Sequence, residues 1–131
     1  MALILNLETS TKKCSVCLAD KGEIISLEEI NEGQFTHAEK LHLFIEHVFL
    51  KSGVSMNSLD AVAVSKGPGS YTGLRIGVSA AKGLCFALDK PLIAIDTLEI
   101  LARAVNTENY AFIVPMIDAR RMEVYSAVFD Q

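Results

Sequence analysis

Up to residue 29 the apolar side chains fall in short runs, and past residue 36 they recur at helical spacing. ALILNLE (2–8), CSVCLA (14–19) and EIISLEE (23–29) read as strands. A polar loop with Ser-Thr-Lys-Lys and the turn Asp20-Lys21-Gly22 join them, so the pattern predicts an antiparallel meander. The period then changes. Thr36-His-Ala-Glu39 fits a capping box, and a helix over 37–51 is expected, stopped by Ser52-Gly53. Leu41, Phe44, Ile45, Val48 and Phe49 form its broad apolar stripe, while Leu43, His47 and Leu50 lie on the other side.

The run LDAVAV (59–64) reads as a buried strand that ends at a glycine-rich loop. A helix over 74–88, a strand over 91–95 and a helix over 96–105, capped by Asp96-Thr-Leu-Glu99, follow. Two strands, 111–117 and 123–129, close the chain through Asp118-Ala-Arg-Arg121. Hairpins first and helical crossovers after imply a mixed α/β sheet of five strands, three antiparallel and two added in parallel. That is the ribonuclease H-like layout.

Half of the 131 residues are hydrophobic, enough for one compact core. A net charge of -4, with both signs mixed along the chain, gives no basic footprint for RNA or an anionic membrane, so any RNA role is expected to be indirect. No apolar run approaches the ~20 residues of a membrane helix, and the apolar start lacks the basic flank and cleavage site of a signal peptide. The chain reads as cytoplasmic. Cys14, Cys17 and Cys85 are too few and odd in number for a disulfide framework. Cys14 and Cys17 are three apart on a strand and point to opposite faces, so reduced structural thiols are expected.

KGPGSYTGLRIG (66–77) holds the densest punctuation in the chain. A phosphate-binding P-loop needs GxxxxGK[ST], but Gly67 and Gly73 are six apart and Leu74-Arg75 replaces the Lys-Ser pair. The dinucleotide fingerprint fails too, since Gly67, Gly69 and Gly73 read GxGxxxG and follow the fourth strand rather than the first. What remains is a strand-to-helix turn with amides at a helix start. Two readings stand: a phosphate or partner contact, or glycines that let the loop pass close to neighbouring backbone. On the helix that follows, Arg75, Ser79 and Lys82 share one narrow polar sector, while Gly77, Ala80, Ala81, Gly83 and Ala87 are small. A helix apolar nearly all round must be covered nearly all round, by the first helix or by another subunit.

KGPGSYTGLRIGVSAAKGLCFALDKP, together with LNLETSTKKCSVCLA, THAEKL and DARRMEVY, resembles the bacterial TsaB (YeaZ) family over essentially the whole chain. The resemblance implies membership of the actin, Hsp70 and sugar-kinase superfamily, whose members pair two ribonuclease H-like halves, and a chain that corresponds to the N-terminal half, with the first ribonuclease H-like domain over 1–110 and a second, truncated one beginning at 111–131. It implies a non-catalytic subunit for making N6-threonylcarbamoyladenosine (t6A) in tRNA. The implied partners are a TsaD-like transferase paralogue and, through the complex, a TsaE-like ATPase, with tRNA met only indirectly. ATP and a metal are expected through those partners, with no cofactor bound by this chain. TsaD proteins carry a metal-binding HxxxH in a segment of the type Asn-His-Leu-Glu-Gly-His. The matching segment here is Asp96-Thr-Leu-Glu-Ile-Leu101, with Thr97 and Leu101 at the histidine positions. Neither can bind a transition metal.

His37, His42 and His47 are spaced five apart, each turned by about 140° from the last, so they cannot converge on one ion and read as surface or interface residues. In the superfamily the first hairpin presents an Asp and a Gly-Thr/Ser turn to ATP and magnesium. Here the strand ends in Glu8-Thr-Ser-Thr11, so Thr9, Ser10 and Thr11, with Gly67, Gly69, Ser70 and Gly73, form at most a degenerate phosphate site. The expected interface is His37, Leu43, His47 and Leu50 on the first helix and Leu74, Arg75, Val78 and Lys82 on the second, used for a homodimer in isolation and for the paralogue in the complex. The rival reading is an autonomous phosphotransferase or ATPase of the sugar-kinase type. A metallopeptidase fails for want of ligands.

Overall fold

Three antiparallel strands open the chain: β1 (Leu3–Glu8), β2 (Cys14–Asp20) and β3 (Glu23–Ile30). A computed structural model describes residues 2–31, 36–106 and 108–130. Lys21 and Gly22 both take positive φ, the two-residue turn that matches the twist of a hairpin. β4 (Ala61–Ser65) and β5 (Leu92–Ile95) join in parallel, and the sheet order is β3-β2-β1-β4-β5. The fold class is therefore the expected one.

Register decides which side chains become core. Leu5 pairs with Leu18 and Val62, and Leu7 with Val16 and Val64, so two apolar rows run across the sheet on one face. Helix α1 (His37–Ser52) lays Leu41, Ile45, Val48 and Phe49 on them, and α2 (Tyr71–Leu88) adds Ala81. Each side chain so buried contributes roughly 1.5–3 kcal/mol. Cys14 lies in this core while Cys17, paired with Asn6 and Leu27, turns to the other face. The CxxC pair is thus divided by the sheet itself.

Three local expectations are corrected. Thr36 precedes α1 with φ -110° and ψ 16°, and its side chain makes no cap; its carbonyl instead accepts from the Glu39 and Lys40 amides. A hydroxyl caps from extended backbone, which Thr36 does not adopt. Helix α2 starts at Tyr71, before residue 74, because the Ser70 hydroxyl accepts from the Gly73 amide at 3.2 Å and carries the helix start into the glycine run. The expected strands 111–117 and 123–129 are four short ones. β6 (Phe112–Ile113) pairs with β9 (Phe129–Asp130), and β7 (Met116–Arg120) pairs with β8 (Glu123–Ser126). Pro115, which has no amide to donate, separates β6 from β7, and the turn sits at Arg121 and Met122 rather than over 118–121. The cap on α3 (Thr97–Arg103) is as expected, with Asp96 accepting from the Leu98 amide at 2.9 Å.

Candidate functional site

β1 delivers Glu8 to the end of the sheet, and the turn after it is tied to three other segments. The Ser10 amide donates to Glu8 Oε1 at 2.8 Å, the Ser10 hydroxyl donates to the same oxygen, and the Ser65 hydroxyl at the end of β4 donates to it at 2.8 Å. Thr9 is fully buried and its hydroxyl donates to the Gly73 carbonyl at 2.7 Å. The Ser70 amide donates to the Ser10 carbonyl at 2.7 Å. His37 Nε2 donates to the Thr11 carbonyl at 2.5 Å. Glycine makes this approach possible: a Cβ on Gly69 would overlap the Ser10 carbonyl oxygen, one on Gly73 the Thr9 carbonyl oxygen, and one on Gly77 the Thr9 hydroxyl.

Between the two readings of the glycine loop, this geometry accounts for Gly69 and Gly73 by close packing. The Thr9 and Ser10 hydroxyls, expected as phosphate donors, already donate within the chain, to the Gly73 carbonyl and to Glu8, while the Ser70 hydroxyl accepts from the Gly73 amide. Gly67 has φ 115°, a left-handed conformation that favours glycine, precedes a cis Pro68, and has the Leu74 side chain against it. Ser10, Thr11 and Ser70 line a cleft of about 710 Å³ together with Tyr71, Asp118 and Arg120.

The second feature is the outer surface of the two helices. A groove of about 790 Å³ runs between them, walled by Ala38, His42 and Glu46 of α1 and by Arg75, Ser79 and Gly83 of α2. A hollow of about 430 Å³ continues it past Leu50 toward Val54 and Met56. Leu50 is 72% exposed, and Leu43, His47, Arg75 and Lys82 are exposed as well. The most exposed large hydrophobic side chain of α2 is Phe86, at 91%, which the apolar pattern of this helix does not distinguish from its neighbours. The Arg75 guanidinium stacks on Tyr71, 5.5 Å from the ring centre.

Three residues expected at this interface are engaged within the chain itself. His37 is buried, turned inward by its bond to Thr11. Leu74 packs half-buried beneath Gly67, and Val78 packs against the sheet core.

The thiols are set for packing. Burial, with a smaller effect of the Glu8 charge, pushes Cys14 up to about 11, and burial raises Cys17 and Cys85 too. All three are free. A thiol held protonated is a poor nucleophile and a poor metal ligand. Among the described residues no three His, Cys, Asp or Glu come together as a metal-binding group. Thr97 is buried with its hydroxyl unpartnered, and Leu101 is partly exposed on the same face of α3. No helix among the described residues is long and apolar enough to cross a membrane.

Comparison with known proteins places these features in a family. The profile of the family described as "TsaD: tRNA N6-adenosine threonylcarbamoyltransferase" matches residues 31–131. The chain is 40% identical over 126 residues to the tRNA threonylcarbamoyladenosine biosynthesis protein TsaB of Haemophilus influenzae, covering 93% of this chain and 51% of that protein. It is 33% identical over 129 residues to the protein of the same name in Escherichia coli, covering 98% and 55%. Among solved structures, YeaZ from Pseudomonas aeruginosa superposes with a TM-score of 0.88 at 35% identity, covering 100% of this chain and 60% of that one. The chain spans about half the length of the curated relatives it matches.

Proposed function

Because this chain belongs to the TsaB (YeaZ) branch of the TsaD-related family, we propose that it is a non-catalytic scaffold subunit that holds and activates a TsaD-like transferase during t6A formation in tRNA. The observation that carries this reading is the groove between α1 and α2. Ile45, Met56, Ile76 and Leu84 line it, it is small-walled at Ala38 and Gly83, and the hollow that continues it carries the exposed Leu50. Contiguous apolar surface of this kind marks a protein contact. The same face serves for a homodimer when the paralogue is absent, as two copies meeting about a two-fold axis.

The closed turn supports the non-catalytic part. In the superfamily this turn meets ATP and magnesium, whereas here Glu8 is engaged by Ser10 and Ser65, and Thr9 by α2. The transferase paralogue supplies the metal and the reacting centre, a TsaE-like ATPase joins through the complex, and tRNA contacts this chain only indirectly. A net charge of -4 is in keeping with that, since RNA affinity rests on basic contacts that release counterions.

The test is titration of the untagged chain with the TsaD-like protein of its own organism, followed by t6A formation on tRNA with and without the chain. Micromolar or tighter association and dependence of t6A on the chain are expected. ATP turnover by the chain alone, or no association at all, would overturn the reading.

A further inference from the structure

We propose that His37 is a positioning residue for the α1–α2 groove: it never reaches the surface, yet it fixes where the first turn of α1 stands relative to that of α2. The proposal rests on the partner-docking role given to the groove above.

The argument begins with how α1 starts. Its cap residue, Thr36, contributes no side-chain cap to the helix amides, so among the described residues the first turn lacks the hydroxyl cap that the sequence offers. The apolar anchors lie further along, at Leu41, Ile45, Val48 and Phe49. Ahead of them His37 reaches back 26 residues, and its Nε2 donates to the Thr11 carbonyl. The ring edge lies against Gly73, so closely that a Cβ there would stand 3.1 Å from His37 Cδ2. Thr11 and Gly73 are themselves held. Thr9 is bonded to Gly73, and Ser10 to Ser70, so the turn after β1 and the start of α2 form one unit. His37 brings α1 onto that unit.

The groove starts one residue away on each helix, at Ala38 and Thr72. Fixing His37 against Gly73 therefore sets the width of the groove at this end, while Ile45 and the core set it at the other. Loss of the His37 bond frees the first turn without uncovering the sheet, because the apolar stripe of α1 remains in place. A partner then meets a groove whose upper wall must be ordered on binding, and affinity falls by that ordering cost.

The experiment compares the parent with His37→Gln, His37→Asn and His37→Ala. Gln carries an amide donor at a reach similar to that of Nε2, Asn is too short, and Ala has no donor. The readouts are calorimetric titration with the TsaD-like paralogue, well below each variant's Tm, and amide hydrogen exchange along α1. Binding about tenfold weaker is expected for Asn and Ala, with Gln within about threefold of the parent. Exchange should quicken over 38–41 and stay unchanged near Phe49. Parent-like affinity in both Asn and Ala variants would overturn the proposal, as would their loss of the whole fold, which would make His37 an ordinary core residue. If the parent itself fails to bind, the docking role has failed instead. The exchange pattern then decides on His37, and uniform exchange across α1 counts against it.

Discussion

The two halves of α2 put small residues to opposite uses. Near its start Gly73 and Gly77 are pressed against the turn after β1, where any Cβ would overlap Thr9. Further on, a Cβ at Gly83 would meet nothing within 4 Å, because that position opens into the groove. In the first half the chain supplies its own neighbour. In the second the position is left open. Small residues at helical spacing thus look alike in the sequence, and only the fold tells which of them have a neighbour pressed against them.

The largest effect expected from this contrast is at Gly73. Gly73→Ala places a methyl group on the Thr9 carbonyl oxygen, which is backbone and can move only with β1. A loss of about 3 kcal/mol or more is expected, at the upper end of what overpacking costs. Gly77→Ala should cost about 2 kcal/mol, since the group it meets is the Thr9 hydroxyl, which must give up its bond to Gly73. Urea unfolding of both variants measures this. A Gly73→Ala protein as stable as the parent would mean that the closeness of α2 to the turn is not what requires glycine.

The sheet was readable from sequence because its signals are local. Alternating apolar runs, the Lys21-Gly22 turn and the helical stripe of α1 each specify an element without reference to the rest. The turn after β1 was not readable in the same way. Glu8, Ser10, Ser65 and His37 come together only through pairings between segments far apart in sequence, and nothing in the spacing of Glu8-Thr-Ser-Thr11 says that its hydroxyls point inward. The Thr36 capping box failed for a related reason. The residues fit, but Thr36 does not take the extended backbone a capping hydroxyl needs, and nothing in the spacing of the box shows that. Phe86 was hidden because an apolar helix gives no sign of which side the fold leaves open.

On the outward half, charge tests the contrast. Phe86→Glu and Leu50→Glu should leave the fold nearly intact, with Tm within a few degrees of the parent, because both side chains are mostly in water. Association with the paralogue, and with a second copy, should weaken at least about tenfold, or 1.4 kcal/mol. A carboxylate buried without a partner is costly to the complex. Light scattering coupled to size exclusion separates the outcomes. A variant that still associates shows that the partner uses another face, and one that unfolds shows that the residue is core.

Two fully buried threonines sharpen the inward half. Thr9 donates to the Gly73 carbonyl, whereas the Thr97 hydroxyl has no partner. Thr9→Val should cost about 1–2 kcal/mol, the bond plus the carbonyl left behind. Thr97→Val removes a polar group that gains nothing from burial, and should be neutral or stabilising by up to about 1 kcal/mol. Equal losses in the two chemical melts would show that the Thr9 bond does not hold the turn.

The smallest effect, and the one that most directly separates the two halves of α2, is expected at Gly83. Glycine inside an exposed helix is about 0.5–1 kcal/mol less favourable than alanine, through the entropy it loses on folding. With no atom near its missing Cβ, Gly83→Ala should recover that amount in the isolated chain, seen as a slightly higher midpoint in urea. The same methyl stands in the groove, where it would hold an incoming helix away. Calorimetry against the TsaD-like paralogue should therefore show weaker binding, about two- to tenfold, in a protein that is more stable than its parent. Opposite signs for stability and association are the mark of a glycine kept for a partner. If both rise together, the small residues of the second half owe nothing to docking, and the contrast with Gly73 is one of packing alone.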